Sequence, residues 1–196
     1  MVLTGRDVAI CDAALALLLE VGYDRMSMDA VAARARASKA TIYRRWPGKQ
    51  ELVLDAVRSR GPGLTVPEDT GSLRGDLVAT YRSAAAGSAA QDADLIAGVL
   101  RAMRSAPELA DCVRSQVVES KCDVSRTIVA RAVERGELPA TTDPLILHEV
   151  ASALWFHRVL VVGADVDDAF IAHVVDDVLM PLLDRSSRSA ELQERQ

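Results

Sequence analysis

The chain has 196 residues, enough for one domain or one domain with a small appended module. Apolar residues make up 49% and charged residues 26%, which excludes a wholly disordered chain; only 4% are aromatic, and Ala, Val and Leu favour helix packing over a sheet sandwich. The net charge is −5, yet residues 1–60 sum to +3 and the remainder to −8, so an acidic average hides a basic N-terminal part.

Nearly every segment reads with helical period. In the first, Ile10, Ala14, Leu17, Leu18 and Val21 place one apolar stripe inward. Thr4 is its expected N-cap, with Asp7 three residues on, and Gly22 its terminator. A second, short helix is expected from about Ser27 to Ala35, with Met28, Val31 and Ala32 inward. A third begins at Ser38 and ends before Pro47. A fourth runs from Gly48 to about Arg60.

Residues 61–72, GPGLTVPEDTGS, form the clear linker, and the domain boundary belongs in or next to it. Residues 1–60 then form one domain and 61–196 a second. Longer helices are expected at about 72–88, 92–105, 107–135, 143–163 and 167–184, with Pro107 and Pro144 at helix starts and Gly136 and Gly163 at stops. Residues 185–196 are polar and expected to fray. No segment shows a convincing strand pattern, so the fold class is all-α.

The last two helices carry more apolar surface than one stripe of about 100° requires. Phe170, Ile171, Val174, Val175, Val178, Leu179 and Leu182 cover about half of 167–184, and 145–162 is apolar nearly all round. The expected second burial partner is a copy of the same chain about a two-fold axis, with Val174 and Val178 in the contact. A buried hairpin within a monomer is the alternative.

The information-rich block is Ser27 to Lys49, SMDAVAARARASKATIYRRWPGK. Two short helices about three residues apart make a helix-turn-helix. Between positions 34 and 49 stand Arg34, Arg36, Lys39, Arg44, Arg45 and Lys49, with no acid. A concentrated basic stripe on an acidic chain asks for an anionic partner. The second helix, with Lys39, Thr41, Arg44 and Arg45 on its expected outer face, suits a major groove about 12 Å wide. Ser38 and Lys39 open that helix, where backbone N–H groups attract phosphate. Thr41 can meet a base edge or a thymine methyl, Tyr43 a phosphate, and Arg44 a guanine. Lys49 sits in the first turn of the next helix, where the dipole disfavours a cation and a bound phosphate would offset that penalty. Ile42 and Trp46 read as core.

This block resembles the N-terminal DNA-binding domain of the TetR family of bacterial regulators. The resemblance rests on Gly22-Tyr23 before Ser27, on Val31-Ala32 and Ala35, on Ser38-Lys39, Thr41-Ile42-Tyr43, Trp46, Lys49 and Leu52. It covers about residues 5–57, and GSLRGDL from residue 71 resembles one branch of the family's C-terminal domains. It implies an all-helical homodimer with a ligand-binding C-terminal domain, usually a repressor. It also implies that Ser27, Ser38, Lys39, Thr41, Tyr43 and Lys49 fall where the family touches DNA. The family usually has Gly where this chain has Arg36, a β-branched residue at Ala37 and Phe at Trp46. If that turn needs positive φ, Arg36 costs about 1 kcal/mol.

Other chemistry finds little support. Cys11, Cys112 and Cys122 are odd in number and lack metal-ligand spacing, which fits a reducing cytoplasm. The runs Ala13–Leu19 and Val150–Phe156 fall below the roughly 18 residues of a membrane helix. His148, His157 and His173 are not spaced for a metal, and His157 is expected on an apolar helix side. Neither a cofactor nor an enzymatic activity is expected. The function read from the residues is sequence-specific binding to double-stranded operator DNA, released by a small apolar effector. The effector is expected between 72 and 162, near Leu77, Tyr81, Leu95, Val99, Met103, Val117, Ile128 and Trp155, with Tyr81, Gln116 and His157 as polar handles. The alternatives are a helical small-molecule binding protein or enzyme whose basic patch is incidental, and a redox sensor using Cys112 and Cys122. At ten residues, about 15 Å along one helix, those two thiols are too far apart for an intrachain disulfide.

Overall fold

The computed structural model describes residues 4–60, 66, 68–87 and 92–184, and every regular element among them is helical. Packing divides the chain into two compact units, 1–62 with 87–118, and 63–86 with 119–196. The sequence expectation divides the chain once, near residue 60, whereas packing groups residues 87–118 with the first unit.

The first unit begins with α1 (Gly5–Val21). A capping box opens it: Thr4 Oγ1 accepts from Asp7 N at 3.3 Å, and Asp7 Oδ2 accepts from Thr4 N at 2.9 Å. Helix α2 (Met28–Arg34) is capped by Ser27 and α3 (Lys39–Arg45) by Ser38; α4 spans Lys49–Arg60. Their inward residues, Ile10, Ala14, Leu18, Val31, Ile42, Trp46, Leu52 and Ala56, are essentially sealed from water. Each large apolar side chain so buried contributes about 1.5–3 kcal/mol.

Helices α6 (Ala93–Ser105) and α7 (Pro107–Val113) complete that core with Leu95, Ala102, Leu109 and Val113. Helix α6 lies close on α1: a Cβ at Gly98 would stand 2.7 Å from Leu19 Cδ2. Leu95, Val99 and Met103, expected beside an effector, instead belong to or pack against the first unit's core. Leu95 is buried there, and Val99 and Met103 are half-buried.

In the second unit, α5 (Leu73–Ala85) is capped by Ser72 and α8 spans Glu119–Glu134. Helix α9 (Pro144–Phe156) is capped by Asp143 and continues through wider π turns, His157–Val162. Helix α10 (Asp168–Ala172) is capped by Asp167 and continues likewise, His173–Leu179. The segment expected as one helix over 107–135 is α7, a π-helical stretch at Arg114–Val118, and α8. The unit's core joins Leu77 and Tyr81 to Ile128 and Ala132, Leu147, Val175 and Leu179. The expected fraying of 185–196 lies outside the described residues.

An ionic knot fixes the start of α5. Arg135 holds Asp69 at 2.7 Å, Asp76 at 3.1 Å and Glu137 at 2.6 Å, and Asp76 is fully buried. Thr70 donates to Asp76 from its backbone N–H and its hydroxyl, and Glu137 accepts from Leu73 N. Gly75 is required here, because a Cβ would come within 2.3 Å of Thr70 Oγ1. Burial pushes the Asp76 carboxyl up, but the Thr70 bonds and Arg135 outweigh it and hold the group below its ordinary range.

Two sequence expectations are corrected in this unit. Val174 is 5% exposed within the chain itself, so it is core and unavailable to a partner, whereas Val178 is half-buried. His157 is exposed, because the apolar side on which it was placed is the side of α9 that the chain leaves open. Leu145, Phe156, Val161 and Val162 share that exposure. The whole helix Pro144–Val162, 19 residues, is long and apolar enough to cross a membrane, a test the shorter run Val150–Phe156 fails.

Candidate nucleic-acid interface

The turn between α2 and α3 is built on a left-handed residue. Ala37 N donates to Ala32 O at 3.0 Å and Arg36 N to Ala33 O at 3.3 Å, with Arg36 at φ +50°. This is the Schellman ending, which favours Gly. The same bonds recur at the end of α8, from Glu137 N to Ala132 O and from Gly136 N to Val133 O, but there a Gly holds φ +75°. Arg36 thus bears the strain expected of a non-Gly residue at this turn, and its side chain is exposed.

Helix α3 buries Ile42 and the following Trp46, whose Nε1 donates to Asp55 at 2.9 Å. That fixes which side faces out: Lys39, Ala40, Tyr43 and Arg44. Tyr43 is 49% exposed, and the Arg44 side chain makes no hydrogen bond or ion pair among the described residues. Ala40, which the sequence reading passed over, stands in the middle of this face. Counting i, i+3, i+4 from Tyr43 and Arg44 would have found it. Thr41 lies at the edge, half-buried, with its hydroxyl 2.8 Å from Ser38 Oγ. Ser38 Oγ also accepts from Thr41 N at 3.1 Å, and Ser27 Oγ accepts from Ala30 N at 3.2 Å. Both serines are exposed caps.

The run of cations without an acid is a property of the sequence and not of the surface. Arg34 makes a fork with Glu20 at 2.6 and 2.8 Å, and Lys39 reaches Asp29 at 2.6 Å. The Lys39–Asp29 bond raises the lysine above its ordinary pKa and keeps it charged. Both pairs are solvent-exposed, so each is weak and can exchange for a phosphate. Arg45 departs from its expected outer position: it turns inward to Asp7, at 3.1 Å. Lys49 Nζ donates to Tyr23 O at 3.1 Å and sits 4.3 Å from the centre of the Tyr23 ring. The carbonyl and ring already offset the dipole penalty that was the argument for a phosphate at Lys49.

The geometry is therefore a helix-turn-helix whose second helix offers a cation-flanked, small-centred face. Known protein families match both parts of the chain. Residues 10–56 match the model described as bacterial regulatory proteins, tetR family, and residues 67–178 match the Tetracyclin repressor-like C-terminal domain. The chain belongs to the TetR family.

A DNA-binding transcriptional repressor TetR of Mycobacteroides abscessus is 40% identical over 184 residues, covering 93% of this chain and 96% of that protein. An uncharacterised HTH-type transcriptional regulator of Mycobacterium tuberculosis is 36% identical over 182 residues, covering 93% and 90%. Among solved structures, a TetR family transcriptional regulator from Pseudomonas syringae pv. tomato matches with a TM-score of 0.65 at 25% identity, covering 90% and 93%. The chain is thus a TetR-family DNA-binding transcriptional regulator, in a family of regulators and not of enzymes. Among the described residues no group of three His, Cys, Asp or Glu could hold a metal.

Of the residues expected around an effector in this TetR-family chain, Leu95, Val99 and Met103 belong to the first unit and Leu77, Tyr81, Ile128 and Trp155 to the second. The second unit holds a void of about 10 Å³, room for about one water, lined by Tyr81, Ala151, Trp155, Phe170, Ile171 and Val174. Leu77 and Ile128 lie in that unit's core. The side chains of Gln116 and Val117 lie outside the described residues.

Proposed function

We propose that the chain is a repressor that binds operator DNA as a dimer and is released by a small apolar effector. Residues 1–60 read the DNA, and 61–196 dimerise and bind the effector. The observation that carries the DNA reading is the outward face of α3. Lys39, Ala40, Tyr43 and Arg44 stand out while Ile42 and Trp46 are sealed beneath. In a major groove, Arg44 reaches a guanine edge, while Ala40 and Thr41 present methyl groups to thymine. Ser27, Ser38, Lys39, Tyr43 and Lys49 hold phosphates, with Lys39 exchanging Asp29 for one and Lys49 sharing its ammonium with Tyr23 O. The name of the Mycobacteroides relative supports repression. Such a repressor blocks polymerase by occupying the operator, and it works in the cytoplasm.

The open face of α9, with Leu145, Phe156 and Val161, supports a two-fold dimer through the last two helices. The void beside Tyr81 and Trp155 supports an apolar effector, which would have to widen it, so that bound and unbound forms differ in shape. The assignment of residues is tested by two variants. Lys49→Ala should weaken binding to every duplex and lower the slope of log K against log salt by about 1. Arg44→Ala should instead relax preference at one base pair, by about 1–3 kcal/mol. An unchanged preference with Arg44→Ala would remove the guanine contact given to Arg44.

A further inference from the structure

Arg45 lies in the last turn of α3 and points away from the face just described. Its guanidinium stands 3.1 Å from Asp7 Oδ2 and 5.4 Å from the centre of the Trp46 ring. The two charged side chains are only 21% and 12% exposed. Arg45 Nε and Nη2 are buried with no hydrogen-bond partner among the described residues. A buried ion pair is often no more stabilising than apolar side chains of the same volume, and unbonded donors add to its cost. Stability alone is therefore a poor reason for this pair.

Its geometry gives a better one. The same Asp7 Oδ2 accepts from Thr4 N at 2.9 Å and from Thr4 Oγ1 at 2.8 Å. One carboxylate oxygen thus joins the first turn of α1 to the last turn of α3. The apolar contacts of Ile42 and Trp46 fix how deeply α3 sits but are not directional, and the Trp46–Asp55 hydrogen bond holds the residue that follows the helix. A charge pair has a direction, and it resists rotation of α3 about its own axis. At a side-chain radius of about 6 Å, a rotation of about 20° moves a tip by about 2 Å. That is more than a hydrogen bond to a base edge tolerates.

We propose that Asp7, acting through Arg45, is a positioning residue that sets the rotation of α3 and hence sequence discrimination, not affinity for DNA as such. The proposal rests on α3 being the helix that reads DNA. It differs from the outward-facing role expected for Arg45 in sequence, since an Arg45 held inside the unit reaches no phosphate.

The test uses the full chain and two duplexes: one selected from a random pool by the wild-type protein, and one of scrambled sequence. The readouts are the ratio of the two affinities and the salt slope on the scrambled duplex. Asp7→Asn and Arg45→Met should each lower the ratio by about tenfold or more, the size of one misplaced base contact. The salt slope should stay unchanged. Leu18→Ala, which removes core volume from α1 away from the pair, should lower the melting temperature and keep the ratio. If Asp7→Asn fails to fold, Arg45→Lys decides, since it keeps the charge and loses the planar fork; its ratio should fall measurably. An unchanged ratio in folded variants overturns the proposal, and so does an equal fall in Leu18→Ala. A salt slope reduced by about 1 in Arg45→Met, at constant ratio, would make Arg45 a phosphate contact instead. If the wild-type chain selects no duplex at all, the DNA reading of α3 falls first and this proposal with it.

Discussion

Arg36 and Gly136 occupy the same left-handed position after a helix, with the same two hydrogen bonds, and only one of them is a glycine. Removing the Cβ at Arg36 relieves strain of about 1 kcal/mol, partly offset by the greater freedom of an unfolded Gly. Arg36→Gly should therefore raise stability by up to about 1 kcal/mol in thermal or urea unfolding; a loss of stability would show that the turn is not strained. The family resemblance made this strain legible, because that family usually has Gly where this chain has Arg36. The partners of the neighbouring cations were not legible. Glu20, Asp29 and Asp7 come from other helices, and no local count of charge sees them. Ala40 was missed for a different reason: a small apolar residue carries no chemical signal until the buried side of its helix is known.

Helix boundaries were the most legible elements, because they are written in single residues. Thr4, Ser27, Ser38, Ser72, Asp92, Asp143 and Asp167 all accept a first-turn N–H. What a helix packs against was less legible. The stripe Leu95, Gly98 and Ala102 on α6 declares a buried face but does not name α1 as its partner. The long-range bonds of the knot around Arg135 were also invisible, since those to Asp76 and Asp69 span 59 and 66 positions. It carries a sharp expectation. Arg135→Met leaves Asp76 buried without its cation and should cost about 3 kcal/mol. Asp76 has a folded pKa below its ordinary 3.8, so the stability it contributes is complete above that pH. That stability is lost as the pH falls through the lower folded value. Asp76→Asn should flatten the acid limb of a stability–pH curve below about pH 4, and an unchanged limb would contradict the role given to this carboxylate.

For the whole molecule, charge asymmetry and the helix-turn-helix pattern revealed the class of partner, and the excess apolar surface of the last helices suggested a second copy. Leu145, Phe156, Val161 and Val162 stand exposed along the helix Pro144–Val162, which separates the surface this helix offers from the surface it uses. Phe156→Glu should then leave the helical content intact while light scattering reports a monomer; a dimer that persists would move the contact elsewhere. A two-fold dimer also constrains its DNA. Two copies of α3 reach successive major grooves only when the half-sites stand about 34–36 Å, or 10–10.5 base pairs, apart, or a multiple of that. Selection of bound sequences from a random duplex pool by the full chain therefore tests the central claim. The expected result is enrichment of an inverted repeat with that spacing, bound at least about 10³-fold more tightly than scrambled DNA at the same salt. Equal affinity for selected and scrambled duplexes, falling together with salt, would contradict it.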